Sequence, residues 1–257
     1  MMKTIEESVV TAMDGMDTGI YPFLPYILQD FWEIGTSPDE VVTLLERHTS
    51  NHARLKVLDL GCGKGAVSIR LAEVFQCHCL GIDAISQFVS EANRKAEVLH
   101  VGSFCEFKVA DIREEIGYLG EYDVIVLGAI GQVYGDYRET LAVVLPHLKS
   151  GGVVIVDDAY IENQGSVSHS SVLEKGEMLR QIEQAGMVLV DEIRAEEEKG
   201  EEYDEELQLL MKRCHELMNK YPEKSSMFQD YIDNQRKEYT VMETEIVCSI
   251  MLLKRNQ

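Results

Sequence analysis

The segment Val57-Leu58-Asp59-Leu60-Gly61-Cys62-Gly63-Lys64-Gly65 holds the residue types best suited to chemistry. A short apolar run turns through glycines spaced G-x-G-x-G into a helical pattern, and an acid stands two residues before the first glycine. Gly61, Gly63 and Gly65 remove side chains, so the backbone can bend sharply and approach a ligand. The helix that follows offers unpaired N–H groups. Asp59 could receive the ammonium end of an amino-acid-bearing ligand. Dinucleotide enzymes place G-x-G-x-x-G at a similar turn, so a glycine turn alone leaves the cofactor type open. Other acids end later strand patterns: Asp83 in Gly81-Ile82-Asp83, Asp111 in Val109-Ala110-Asp111-Ile112, and the pair in Asp157-Asp158-Ala159-Tyr160. In an open α/β sheet the carboxyl ends of strands face the ligand crevice. Asp157, Asp158 and Tyr160 are therefore candidates for a catalytic role such as a general base, against the reading that they hold the strand-to-helix loop. Cys77-His78-Cys79 has metal-ligand chemistry but lies in a strand pattern, where alternate side chains face opposite ways, and no second ligand pair follows. No metal is expected.

These residues need a scaffold that brings strand ends together. Apolar strand patterns fall at Lys56–Leu60, Cys79–Ile82, Phe104–Ala110, Val124–Leu127, Val153–Val156, Met187–Ile193 and Ile246–Leu253. Helical patterns fall at Ala66–Phe75, Ile85–Leu99, Thr140–Leu148 and Val172–Ala185. Runs such as Val124-Ile125-Val126 suit strands buried on both faces, and their alternation with helices makes an α/β fold with a mainly parallel sheet. Residues 1–50 read as a helical segment ahead of this sheet domain, which spans 51–257. Ser37-Pro38-Asp39-Glu40 carries a capping-box signature. Tyr21, Tyr26, Phe31 and Trp32 belong to a dense aromatic cluster, to be read as helix packing or as a lid over the site. Before the last strand lies an insertion of about residues 196–242, opening with the acidic run Glu196-Glu197-Glu198-Lys199-Gly200-Glu201-Glu202. Leu207, Leu210, Met211, Cys214, Leu217 and Met218 mark one helical face, Tyr221-Pro222 breaks it, and Met227, Phe228, Tyr231 and Ile232 mark a second. A helical hairpin is expected there, packing on the core, covering the substrate or forming a homo-oligomer contact.

The chain has 257 residues, and its net charge of −21 argues against a nucleic-acid or anionic-membrane partner, since both attract Lys and Arg. No apolar run approaches the roughly 20 residues of a membrane span. Met1 to Val10 includes Glu6 and Glu7 and lacks an apolar signal core, and the six cysteines are scattered through expected core elements. Reduced thiols and a cytoplasmic location are expected. A neutral or cationic small molecule fits the charge best as a partner.

From Leu55 to Ala195, with the last strand added, the sequence resembles the class I S-adenosylmethionine-dependent methyltransferases. The resemblance implies a Rossmann-like, mainly parallel seven-stranded sheet with an antiparallel last strand, and S-adenosyl-L-methionine as cofactor. It implies that Gly61, Cys62, Gly63 and Gly65 wrap the methionine part, with Asp59 near its ammonium group. Asp83, with Ala84 beside it, takes the place of the acid that binds both ribose hydroxyls; a carboxylate can accept two hydrogen bonds at once, which matches a vicinal diol. Asp111 and Ile112 stand where the family meets adenine, and Gly128 and Ile130 would line the cleft. The segment after the fourth strand lacks the Asn-Pro-Pro-Tyr or Asp-Pro-Pro-Tyr of base methylation, and Gln132 stands where many small-molecule members carry a histidine. Metal-dependent members use acids after both the fourth and fifth strands, whereas here the fourth ends in Leu127-Gly128. The expected function is methyl transfer to a small-molecule acceptor, by positioning and water exclusion. A nicotinamide-dependent oxidoreductase and a non-catalytic cofactor-binding subunit are the alternatives.

Overall fold

The computed structural model describes residues 3–162, 172–195 and 200–256, so the start of the acidic run, 196–199, lies outside the described residues. The chain opens with α1 (Ile5–Ala12), α2 (Leu24–Ile27) and α3 (Pro38–His48). It then alternates through β1 (Lys56–Leu60), α4 (Ala66–Phe75), β2 (His78–Asp83), α5 (Ser86–Val98), β3 (Cys105–Val109), α6 (Ile112–Glu115), β4 (Tyr122–Gly128) and α7 (Tyr137–Val144). It continues with β5 (Leu148–Ile161), β6 (Leu173–Glu174), α8 (Lys175–Gln184) and β7 (Met187–Arg194), and closes with α9 (Gly200–Lys220), α10 (Ser225–Thr244) and β8 (Val247–Arg255).

The sheet runs β3-β2-β1-β4-β5-β8-β7, with β8 antiparallel to both neighbours and the other pairs on this path parallel. This is the expected seven-stranded, mainly parallel Rossmann-like sheet with an antiparallel last strand, extended by β6, which pairs with β5 off the main path. Side chains alternate across it with period two. Val57, Val124, Val126, Val153 and Ile155 pack beneath α3 and α4, while Leu58, Leu60, Ile125, Leu127 and Val154 face α7 and α8. The chain leaves β1 toward β2 and β3, then returns to β4 on the other side of β1. The β1/β4 boundary is thus the topological switch point, where a crevice opens beyond the strand ends.

Several local expectations are corrected. Ser37 is the N-cap of α3, but its side chain makes no cap bond; Pro38 starts the helix and Asp39 is drawn to Arg70 at 2.6 Å. Two capping boxes stand elsewhere, Thr4 with Glu7 and Asp136 with Glu139, and the second starts α7 three residues before the expected Thr140. β5 runs past Val156 to Ile161 because β8 pairs with it from Val153 to Tyr160. The helix expected from Val172 starts at Lys175, since Leu173 and Glu174 pair with the end of β5.

The insertion forms the expected hairpin, broken at Tyr221-Pro222. Its apolar face is buried within the chain: Leu210, Cys214, Leu217, Phe228 and Ile232 share a cluster with Ile20, Leu24, Ile27 and Leu28 and with Ile85 and Phe88 at α5. At about 1.5 Å per residue, α9 is long enough to reach from the β7 side across the strand ends. No described helix is long and apolar enough to cross a membrane.

Candidate functional site

The glycine turn between β1 and α4 holds its shape through three left-handed backbone positions, with φ of +75° at Gly61, +53° at Gly63 and +80° at Gly65. A Cβ on Gly65 would come within 2.9 Å of Phe107 and Ala92 side-chain atoms, so only glycine fits. The turn is tied to β2 by Gly61 N–H and Cys62 N–H donating to the Ile82 carbonyl. The Cys62 side chain packs among Ile69, Val89 and Ala92 beneath the turn.

Two carboxylates meet at this turn. Asp59 is 3% exposed and accepts from the Ser68 hydroxyl at 2.7 Å. Burial pushes its carboxyl up to about 6, with the Asp83 charge adding to the rise and the Ser68 bond opposing it. Among the described residues no cation pairs with Asp59. Asp83 is 8% exposed, and burial raises its carboxyl too, opposed by backbone N–H donors. Gly63 N–H donates to one oxygen at 2.9 Å and Ile85 N–H to the other at 2.8 Å, while Ala84 also donates. Each oxygen keeps acceptor capacity for a further donor.

At the end of β3, Asp111 caps α6 and is clamped by Arg113, whose Nη2 lies 2.6 Å from Oδ2. That side-chain bond holds the Asp111 carboxyl below the usual range. Arg113 also donates to the Lys3 carbonyl at 2.8 Å, which pins the start of the chain beside Asp111. Ile112 is buried next to it. At the end of β4, Ile130 packs on the glycine turn, where a Cβ on Gly61 would meet it at 2.5 Å. Gly128 lies against Thr36 in the same way. Asp59, Asp83, Asp111, Gly128 and Ile130 thus all lie at or just beyond the carboxyl ends of four neighbouring strands, in the order β3-β2-β1-β4.

The N-terminal segment runs across these strand ends, touching the glycine turn at Leu28 and Ile34 and the end of β4 at Thr36. Tyr21 packs against the cluster shared with the insertion; burial raises its hydroxyl, and the charges of Glu6 and Asp83 add to the rise. Lys64, in the glycine turn, is 2% exposed; its ammonium donates to the Leu28 carbonyl at 2.9 Å and pairs with Glu91 at 3.1 Å. Asp30 in turn is held by Arg213 of α9 at 2.6 Å, and Arg213 also grips Glu216. Among the other aromatics, Tyr26 donates to Glu216 at 2.6 Å, Phe31 packs with the same insertion cluster as Tyr21, and Trp32 lies on the α4–α5 layer beneath Lys95.

A family model described as a methyltransferase domain matches residues 51–245, about three quarters of the chain. The chain belongs to the S-adenosylmethionine-dependent methyltransferases. A malonyl-[acyl-carrier protein] O-methyltransferase of Bacillus anthracis is 28% identical over 116 residues, which are 45% of this chain and 41% of that protein. Phosphoethanolamine N-methyltransferase 1 of Triticum aestivum is 31% identical over 141 residues, 53% of this chain and 27% of that protein. The match therefore spans less than half the length of these relatives. A methyltransferase structure from Geobacter sulfurreducens in complex with S-adenosyl-L-homocysteine superposes with a TM-score of 0.73 at 18% identity, covering 91% of this chain and 98% of that one. That likeness is one of fold.

Further along the sheet edge of this methyltransferase, at the ends of β4 and β5, lies a concavity. It is lined by Leu127, Ile130, Gln132, Tyr137, Asp157 and Asp158, among others. Tyr137 donates to Asp158 at 2.7 Å, and Asp158 also accepts from Ala159 N–H. Asp158 is open to solvent at the mouth, yet crowding on its other sides desolvates the carboxyl and raises it, opposed by the Tyr137 bond. Burial and the charge of Asp158 raise the Tyr137 hydroxyl. Tyr160 points away from this concavity. It is fully buried, and its hydroxyl joins Glu192 at 3.0 Å and Lys175 at 3.1 Å. Among the described residues no group of three metal-ligating side chains converges. Cys77 and Cys79 share a face, with sulfurs 3.8 Å apart, while His78 is exposed.

Sequence reasoning missed Lys64, Arg113, Tyr137 and Lys175. Arg113 follows Asp111 by two residues, which was a visible signal for a local clamp. Lys64 lies inside the glycine motif, but its partner is 36 residues away. Tyr137 and Asp158 are 21 residues apart and meet only because α7 packs beside β5.

Proposed function

We propose that this methyltransferase transfers the methyl group of S-adenosyl-L-methionine to a small-molecule acceptor held beyond the ends of β4 and β5. The observation that carries the reading is the pair of buried carboxylates, Asp59 and Asp83, that converge on the glycine turn at the switch point without a cation between them. Such a pair fits a ligand bearing an ammonium and a diol. Asp59 would take the ammonium and Asp83, with Ala84, the ribose hydroxyls. Asp111 and Ile112 would meet the adenine, while Gly61, Cys62, Gly63, Gly65, Gly128 and Ile130 line the methionine arm and cleft.

When bound, the cofactor supplies an activated sulfonium, whose methyl is displaced in line. The chain's own work is then positioning and water exclusion. Residues 1–35 act as the lid, with Tyr21 over the ribose station, and the insertion braces the lid from above. Asp158, raised and hydrogen-bonded to Tyr137, is the best-placed group to orient an acceptor and to take its proton. Asp157 lines the same concavity. Tyr160 positions the end of β5 through Lys175 and Glu192. The net charge of −21 favours neutral or cationic acceptors, and the free thiols fit the cytoplasm.

Calorimetry with S-adenosylhomocysteine and with NADH tests the cofactor. Formation of S-adenosylhomocysteine over a panel of amines, phenols and carboxylates, with a carrier-bound malonyl ester added, tests the acceptor. Binding of NADH alone would reverse the reading in favour of an oxidoreductase. Cofactor binding with no turnover over a wide panel would favour a non-catalytic subunit.

A further inference from the structure

One described buried side-chain polar atom lacks a hydrogen-bond partner, the Thr36 hydroxyl oxygen. Thr36 is 5% exposed. Folded chains satisfy most buried polar atoms, so an orphan of this kind asks for an explanation. Its position offers one. The chain leading into α3, residues 24–36, forms a strap whose end, Ile34–Thr36, threads between the glycine turn and the end of β4. A Cβ on Gly63 would touch Ile34 at 3.9 Å, one on Gly35 would clash with Ala129 at 2.7 Å, and one on Gly128 would meet the Thr36 oxygen at 2.5 Å. Leu60 pairs with Leu127, so Gly128 lies across from Gly61 at the switch point. The hydroxyl therefore stands one strand spacing from the turn that would carry the methionine arm.

Thr36 also precedes the start of α3, an eleven-residue helix whose N-cap Ser37 makes no side-chain cap bond. Pro38, at the first turn, has no N–H of its own. Asp39 is neutralised by Arg70 at 2.6 Å. An uncapped helix start beside an unpartnered buried hydroxyl suits an anion.

We infer that Thr36 is a cofactor-positioning residue, its hydroxyl donating to the α-carboxylate of the methionyl arm at the N-terminus of α3. The inference rests on the proposed cofactor reading. Ammonium and carboxylate share one carbon in that arm, so Asp59 on β1 and Thr36 beside β4 would grip its two charges from opposite sides of the switch point.

The test uses the full chain, Thr36→Val to remove the hydroxyl at equal volume and Thr36→Ser to keep it. The probes are S-adenosylhomocysteine and its decarboxylated analogue, measured by calorimetry and thermal melting. Thr36→Val should weaken S-adenosylhomocysteine about tenfold, in line with one charge-assisted hydrogen bond, and leave the decarboxylated analogue unchanged. Thr36→Ser should restore the affinity. Because the orphan hydroxyl has no partner to lose, the ligand-free Thr36→Val chain should melt no lower than the wild type. Equal loss with both probes, no loss with either, or a ligand-free chain that melts well below the wild type would overturn the inference. A wild-type chain that binds neither probe would instead sink the cofactor reading, and this inference with it.

Discussion

Replacing Asp59 by Asn should stabilise the ligand-free chain and disable it for the cofactor. Burial lifts the Asp59 carboxyl from 3.8 to about 6. That is roughly two pH units, and at about 1.4 kcal/mol each the ionised carboxylate costs the folded state on the order of 3 kcal/mol. The sign follows from the direction. The folded pKa lies above the unfolded one, so Asp59 contributes stability below pH 3.8 and loses it as pH rises to about 6. At pH 7.5 the full cost is present. Asparagine removes the charge and keeps an acceptor for the Ser68 hydroxyl, but its amide N–H groups need partners, at about 1–2 kcal/mol. The net gain is about 1–2 kcal/mol, or roughly 2–6 °C in melting temperature for a chain of this size. The same change removes the proposed partner of the ammonium, which should weaken S-adenosylhomocysteine by roughly 10–100-fold. Melting and calorimetry at pH 7.5 read both effects. Wild-type affinity should also fall as pH drops below about 6, and this dependence should flatten in the variant, which separates Asp59 from Asp83 and Asp158. An Asp59→Asn chain that melts lower and binds S-adenosylhomocysteine as tightly as the wild type would refute the reasoning.

Asp83→Ala should lose about 2–4 kcal/mol of S-adenosylhomocysteine affinity, since two hydroxyl partners and the anchor of Gly63 go together; unchanged calorimetric affinity would sink the ribose assignment. Tyr137→Phe and Asp158→Asn should lower turnover at least tenfold once an acceptor is found, with S-adenosylhomocysteine binding unaltered; a weakened cofactor and intact turnover would move this pair out of the acceptor site. Lys64→Met should speed hydrogen exchange in residues 20–34 of the ligand-free chain, because the Leu28 and Glu91 ties are lost, and equal protection in both chains would show that the strap is held by packing alone.

The sheet and the carboxylates at its strand ends were legible because both rest on local patterns. Continuous runs such as Val153-Val154-Ile155-Val156 mark strands covered on two faces, and the strand ends place Asp59, Asp83 and Asp111 on one edge without further information. The departures all depend on partners distant in sequence. β5 extends to Ile161 because β8 lies beside it, nearly ninety residues on in the chain. Glu174 reads as helix by its neighbours and becomes strand by pairing with Ile161. The aromatic cluster reads as a unit by composition, yet its rings part in the structure: Tyr21 and Phe31 pack on the insertion core, Tyr26 donates to Glu216 and Trp32 lies beneath Lys95. Nothing in a helical period tells which way each of four rings turns.

The insertion gains its meaning from the same kind of contact. Its sequence shows only two amphipathic helices that need something to pack on. The structure supplies the partner: Leu210, Leu217 and Phe228 bury Leu24, Ile27 and Leu28, the residues that bracket the Lys64 tie to the glycine turn. The insertion therefore bears on the glycine turn through the strap. Cutting residues 196–242 away would expose the strap's apolar face and loosen the lid, so cofactor affinity and acceptor choice would fall together. A milder perturbation separates the two. Arg213→Ala breaks the tie to Asp30 and Glu216 while leaving the apolar contacts in place. If the insertion braces the lid, this variant should show faster exchange in residues 24–34 and a modest loss of S-adenosylhomocysteine affinity, a few-fold at most, because the pair is partly exposed. Unaltered exchange and affinity in Arg213→Ala, together with a loss of association in sedimentation, would assign the insertion to contacts between copies of the chain instead.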